Sequence, residues 1–191
     1  MTRDQEKGAT LVEAAIAYGL LFLTLFAVIE FGLAFKDWLS VSHASREGAR
    51  AGATFGQDLN ADILVLRNVS GTMAPIGFDA GDRVRIYRDN NPVLSESTTY
   101  SYAPGTGCSS TVTPALPGCC DWTPCPEVGR TTYAPPNWNP LERDIEAPTT
   151  DRIGVQVFYT HDWVTGFFSP SVDFNTSTVF QIEPQLFEMA P

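Results

Sequence analysis

Few side chains in this chain could carry chemistry. It has two histidines, His43 and His161, and only His161 has an acid beside it, Asp162. With a serine the pair would make a hydrolase fragment, but no nucleophile elbow surrounds any serine. Adjacent strand residues also point to opposite faces, so Asp162 is badly placed to orient His161. No phosphate-cradling glycine loop and no His-x-x-x-His pair occurs, so the sequence predicts no catalytic residues, no metal, no cofactor and no small-molecule substrate. The acids Glu142, Asp144, Glu146 and Asp151 are irregularly spaced around Pro148 and read as a solvated loop, not a calcium site. Four cysteines, Cys108, Cys119, Cys120 and Cys125, fall within 18 residues. They read as disulfide partners in an exported segment, with Cys108 and Cys125 each taking one of the adjacent pair. Zinc is the competitor, but no Cys-x-x-Cys is present.

The element that positions everything else lies near the amino end. Sixteen uncharged residues separate Glu13 from Glu30, and the apolar character resumes through Phe35. Ala14 to Phe35 is 22 residues, which as a helix would span roughly 33 Å, the thickness of a bilayer's hydrocarbon core. A signal peptide fits poorly: the run is too long, Glu13 stands at its start, and Lys36, Asp37 and Trp38 follow where a cleavage site should be. The sequence thus predicts a single-pass anchor with an acidic head. A net charge of −10 leaves no basic face for phosphates and excludes nucleic acid as a partner.

Beyond Lys36 the helical pattern continues, with Ser40, Ala44, Gly48, Gly52 and Gly56 spaced by four and Ser45, Ala49 and Ala53 on the next row. Glycine inside a helix costs about 1 kcal/mol relative to alanine, so this ridge implies close approach of another element. That element is either a neighbouring subunit or the protein's own sheet, and the second is favoured. Asp58 is the expected N-cap of a second helix with Leu59, Ile63, Leu66 and Val69 on its apolar side. Strands are expected at Arg83–Arg88, at Arg152–Thr160 with Ile153, Val155, Val157 and Tyr159 on one face, and at Thr178–Glu183 with Phe180 and Ile182 inward. His161-Asp162-Trp163 and Gly166-Phe167-Phe168 fall in the hairpin between the last two. Residues 104–148 hold nine prolines and all the cysteines, and read as an insertion or long surface loop.

Gly8-Ala9-Thr10-Leu11-Val12-Glu13 resembles the type IV prepilin signature. More narrowly, GATLVEAAIAYGLLFLTLFAVIEFG followed by SREGARAGA resembles the TadE-like family, minor pilins or pseudopilins of the tight-adherence (Flp) pilus system. NADILVLRNV, DRVRIYR, WNPLERD, RIGVQVFYTHDWVTGFF and VFQIEPQ are similar in order and type to longer members. The resemblance implies an α+β fold: a long transmembrane helix continuing into a pilin-like head with a second short helix and a small antiparallel sheet. It implies a prepilin leader at 1–8, a transmembrane helix at 9–35, its continuation at 36–56 and an extracytoplasmic head at 57–191. It also implies cleavage between Gly8 and Ala9 by a prepilin peptidase, with other pilus subunits, the assembly platform and membrane lipid as partners. Glu13 would then lie four residues from the new ammonium of Ala9 and could pair with it or with a neighbour's amine. The function implied is non-enzymatic assembly of an adhesive pilus. The alternative is a membrane-anchored surface binding domain whose disulfide-fixed loop is the recognition surface.

Overall fold

A computed structural model describes residues 3–89, 96–104, 121–123, 138–167 and 169–184, with side chains from residue 10 onward. The first helix, α1, runs unbroken over Arg3–Phe55, which at 1.5 Å per residue is roughly 80 Å. It ends at Gly56, whose φ of 44° is the left-handed conformation that closes a helix and favours glycine. There the Gly56 N–H donates to the Gly52 carbonyl at 3.1 Å.

The second helix, α2 (Ala61–Met73), starts later than expected. Asp58 does not cap it. Its carboxylate instead accepts the Asn60 N–H at 2.7 Å and its carbonyl the Ala61 N–H at 2.9 Å, so the acid builds the turn ahead of the helix. Ile63, Leu66 and Val69 are buried and Leu59 is half-buried.

Five strands form one antiparallel sheet in the order β3-β2-β1-β4-β5: β1 Arg83–Arg88, β2 Ser97–Tyr102, β3 Trp122–Thr123, β4 Arg152–Asp162 and β5 Ser171–Gln181. Two of these, β2 and β3, go beyond the three strands read from sequence, and β5 begins seven residues before the expected Thr178. Ile153, Val155, Val157 and Tyr159 share the buried face of β4. Ile182 is buried just past β5, its N–H on the Asp151 carbonyl at 2.9 Å. Phe180 is the exception to its expected burial: it pairs with Ile153 across the ladder, but on the edge strand it stays 39 % exposed.

Both helices cover one face of the sheet, and the core lies between these two layers. Within 104–148, Trp122 and Trp138 are core residues and Trp122 extends the sheet through β3. The short 3₁₀ turn Pro140–Glu142 is capped by the Asn139 side chain, which accepts the Leu141 N–H at 3.0 Å. Cys108, Cys119, Cys120 and Cys125 lie outside the described residues.

Candidate membrane and assembly site

Helix α1 divides into three zones by what covers it. From Leu11 to Ile29 nearly every side chain is exposed, and no part of its most apolar window is buried by the rest of the chain. Among the described residues this is the one helix long and apolar enough to cross a membrane. Exposed leucine, isoleucine and phenylalanine in such number are compatible with a single-pass membrane anchor. Glu13 is exposed on this zone, at its amino end. Gly8 and Ala9 lie inside the helix, so the backbone runs through that peptide bond without a break.

The outermost zone, Val41 to Ala53, is the seat of the head. Gly48 faces Val65, Val69 and Val155, and an added Cβ there would sit 2.5 Å from Val69 Cγ2. Gly52 faces Ile153 and Val65, with an added Cβ 2.5 Å from Ile153 Cδ1. Ala44 is fully buried in the same core. Ser45 donates its hydroxyl to the Val155 carbonyl at 2.8 Å and lies 3.0 Å from the Thr178 hydroxyl. The small residues therefore let α2 and the sheet approach the helix axis within this one chain. Arg46 and Arg50 point away from it and are exposed.

Between these zones lies a junction that sequence reasoning missed. Glu30, Ala34, Asp37 and Val41 repeat at helical spacing on one face, and all four are buried. The β4–β5 turn covers Glu30, the end of β4 meets Asp37, and Val41 joins the core. Glu30 accepts the Val164 N–H at 3.2 Å and the Thr165 N–H at 2.5 Å. Asp37 Oδ2 lies 2.7 Å from His161 Nδ1, and both groups are buried. Trp163 packs edge-on against Phe31, ring centroids 5.5 Å apart, and against His161 at 5.2 Å. The partner of His161 is thus a helix acid far away in sequence, while neighbouring Asp162 is exposed. Burial, with Asp37 and Asp82 adding like-signed charge, pushes the Tyr159 hydroxyl up to about 12.

A second polar cluster ties the Pro/Cys-rich stretch to the helices. Arg143 and Asp62 form a fully buried ion pair at 2.5 Å, and the Tyr100 hydroxyl donates to the other Asp62 oxygen at 2.6 Å. The Arg143 guanidinium also lies over the Trp138 ring, 4.6 Å from its centroid. The cluster's make-up, an acid paired with a guanidinium and a hydroxyl inside the core, is that of a structural lock. Asp151 departs from the solvated acidic loop that the sequence predicts. It is buried, pairs with Arg88 at 2.7 Å and accepts the Asp144 N–H at 2.9 Å. Glu142 and Glu146 are exposed as expected.

With the geometry in place, the comparisons with known proteins bear on the stem. Residues 8–50 match the family model described as TadE-like protein. The matched segment starts at Gly8, contains Glu13, Glu30, Asp37 and Gly48, and stops short of Gly52. The head, whose strands also read as similar to that family, lies outside it. No curated protein and no solved structure matched the chain.

Proposed function

We propose that this chain is a non-enzymatic, pilin-like subunit for assembly of a Tad/Flp-type adhesive pilus. The observation that carries the reading is the division of α1. From Glu30 onward one face of the helix is occupied by its own head, while Leu11–Ile29, which lies within the TadE-like match to residues 8–50, presents a bare apolar surface. With one face of its outer part filled intramolecularly, the inner part is the stretch left bare on every side for lipid or for the stems of neighbours. Glu13 is the one carboxylic acid side chain on that free surface. A carboxylate at the centre of a bilayer costs about 2.5–3.5 kcal/mol, so Glu13 favours the helix end and a cationic partner. Cleavage between Gly8 and Ala9 by a prepilin peptidase supplies that cation four residues away, on this subunit or the next. In this reading the head lies outside the cytoplasm, the cysteines pair as disulfides, and other pilus subunits and the assembly platform are the partners.

Glu13→Leu tests the proposal. Membrane insertion is expected to persist, since the apolar run is unchanged, while recovery of the chain in sheared pili falls to background. Normal incorporation of that variant would remove the assembly role assigned to Glu13.

A further inference from the structure

We propose that the β4–β5 turn is a second membrane-contacting element, inserting Val164 and Phe167 among lipid acyl chains beside the anchor helix. This rests on the reading that α1 spans a bilayer. If the span ends near Phe35, Glu30 lies roughly 7 Å inside it, because each helical residue rises 1.5 Å. The turn is fixed to that level by the two N–H groups on Glu30 and by Trp163 against Phe31. Phe167 reaches deeper still and shares an apolar pocket with Leu23, Phe26 and Ala27.

The turn has the chemistry such a position demands. Residues 163–172 contain no charged side chain, and the exposed Asp162 and Asp173 that flank them mark where this uncharged tip ends. Val164 is 74 % and Phe167 70 % exposed, in continuity with the bare apolar surface of the stem. Lipid excludes unsatisfied backbone donors, and four of those in the turn are satisfied internally. Trp163 donates to the Pro170 carbonyl, Val164 and Thr165 to Glu30, and Phe167 to the Thr165 hydroxyl. Glu30 thereby acquires a reason to interrupt an apolar helix. It is 2 % exposed without any lipid present, shielded by the segment it holds. Just above, Trp38 stacks on Phe35 at 5.6 Å and, with Trp163, places aromatic rings where headgroups meet hydrocarbon.

The test places the photo-reactive residue p-benzoylphenylalanine in turn at Phe22, Val164, Phe167 and Ser177 of the full chain, reconstituted in phosphatidylcholine vesicles. All four side chains are exposed, so each variant is expected to retain the wild-type melting temperature. After irradiation, intact-mass measurement reads the adducts. Phospholipid adducts are expected at Phe22, Val164 and Phe167, with Ser177, on the body of β5, at background. Adducts at Phe22 but not at Val164 or Phe167 would overturn the inference and leave the anchor standing. Adducts from Val164 and Phe167 to a second copy of the chain, in place of lipid, would also overturn it. Absence of lipid adducts at Phe22 would remove the spanning helix and this inference with it.

Discussion

Gly48→Ala puts the seating of the head on α1 to a quantitative test. Replacing a helical glycine by alanine ordinarily gains about 1 kcal/mol. At Gly48 the new Cβ would stand 2.5 Å from Val69 Cγ2 and 3.1 Å from Val155 Cγ1. Neither neighbour ends in a flexible chain, and β-branched side chains have little χ1 freedom with which to retreat. Overpacking of this kind costs about 1–3 kcal/mol, and so tight a contact belongs at the upper end, for a net loss of roughly 1–2 kcal/mol. Gly71→Ala in α2 is the matched control, because nothing lies within 4 Å of its added Cβ. It should gain up to about 1 kcal/mol. For a chain of this size the two variants should differ by roughly 5–10 °C in Tm, read by near-ultraviolet circular dichroism in detergent. Gly52→Ala should fall between them, since the atom it meets is the mobile end of Ile153. Adding Val69→Ala to Gly48→Ala should cost less than the sum of the single losses, with coupling of about 0.5–3 kcal/mol. If Gly48→Ala melts at or above both the wild type and Gly71→Ala, the claim that the head seats on this ridge is wrong.

Two further perturbations address the head. Arg143→Met leaves the buried Asp62 carboxylate, among the described residues, with the Tyr100 hydroxyl as its side-chain partner, and should destabilise the fold by about 3–5 kcal/mol in urea unfolding; Asp62→Leu added to it should recover part of that loss. Asp82 gives a pH signature: burial raises its carboxyl above the ordinary value of 3.8 despite the N–H groups donated by Asp79 and Thr160. A raised folded-state value means the stabilising contribution is full below pH 3.8 and is lost as pH rises through the folded value. Asp82→Asn should therefore gain on the wild type as pH climbs from 4 to 7, and a difference flat in pH would contradict this assignment.

Much of the architecture was legible because it rests on long, regular signals. The apolar run of α1 announces one long helix, and the alternation of Ile153, Val155, Val157 and Tyr159 announces a strand together with its buried face. The ridge of Gly48 and Gly52 announced a close neighbour but not its identity, which depends on Val65 and Val69 arriving from α2. Strand β2 escaped because Ser97–Tyr102 is polar throughout, and its burial depends on Tyr100 finding Asp62. The junction escaped for a different reason. Glu30 and Asp37 read as the boundaries of an apolar segment, although with Ala34 and Val41 they form a stripe at helical spacing. An acid on the buried side of a helix is a sign of a donor elsewhere, here the β4–β5 turn and His161. Asp151 and Arg143 carried no comparable signal, since each is buried by a partner distant in sequence.

The claim beneath all of this is that the stem is trimmed and then stacks through its bare apolar end. Intact-mass measurement of the protein extracted from its native membrane tests it most directly. A mature chain beginning at Ala9 is predicted, recovered together with other copies or pilus subunits. A chain that keeps residues 1–8 and is recovered alone would contradict it.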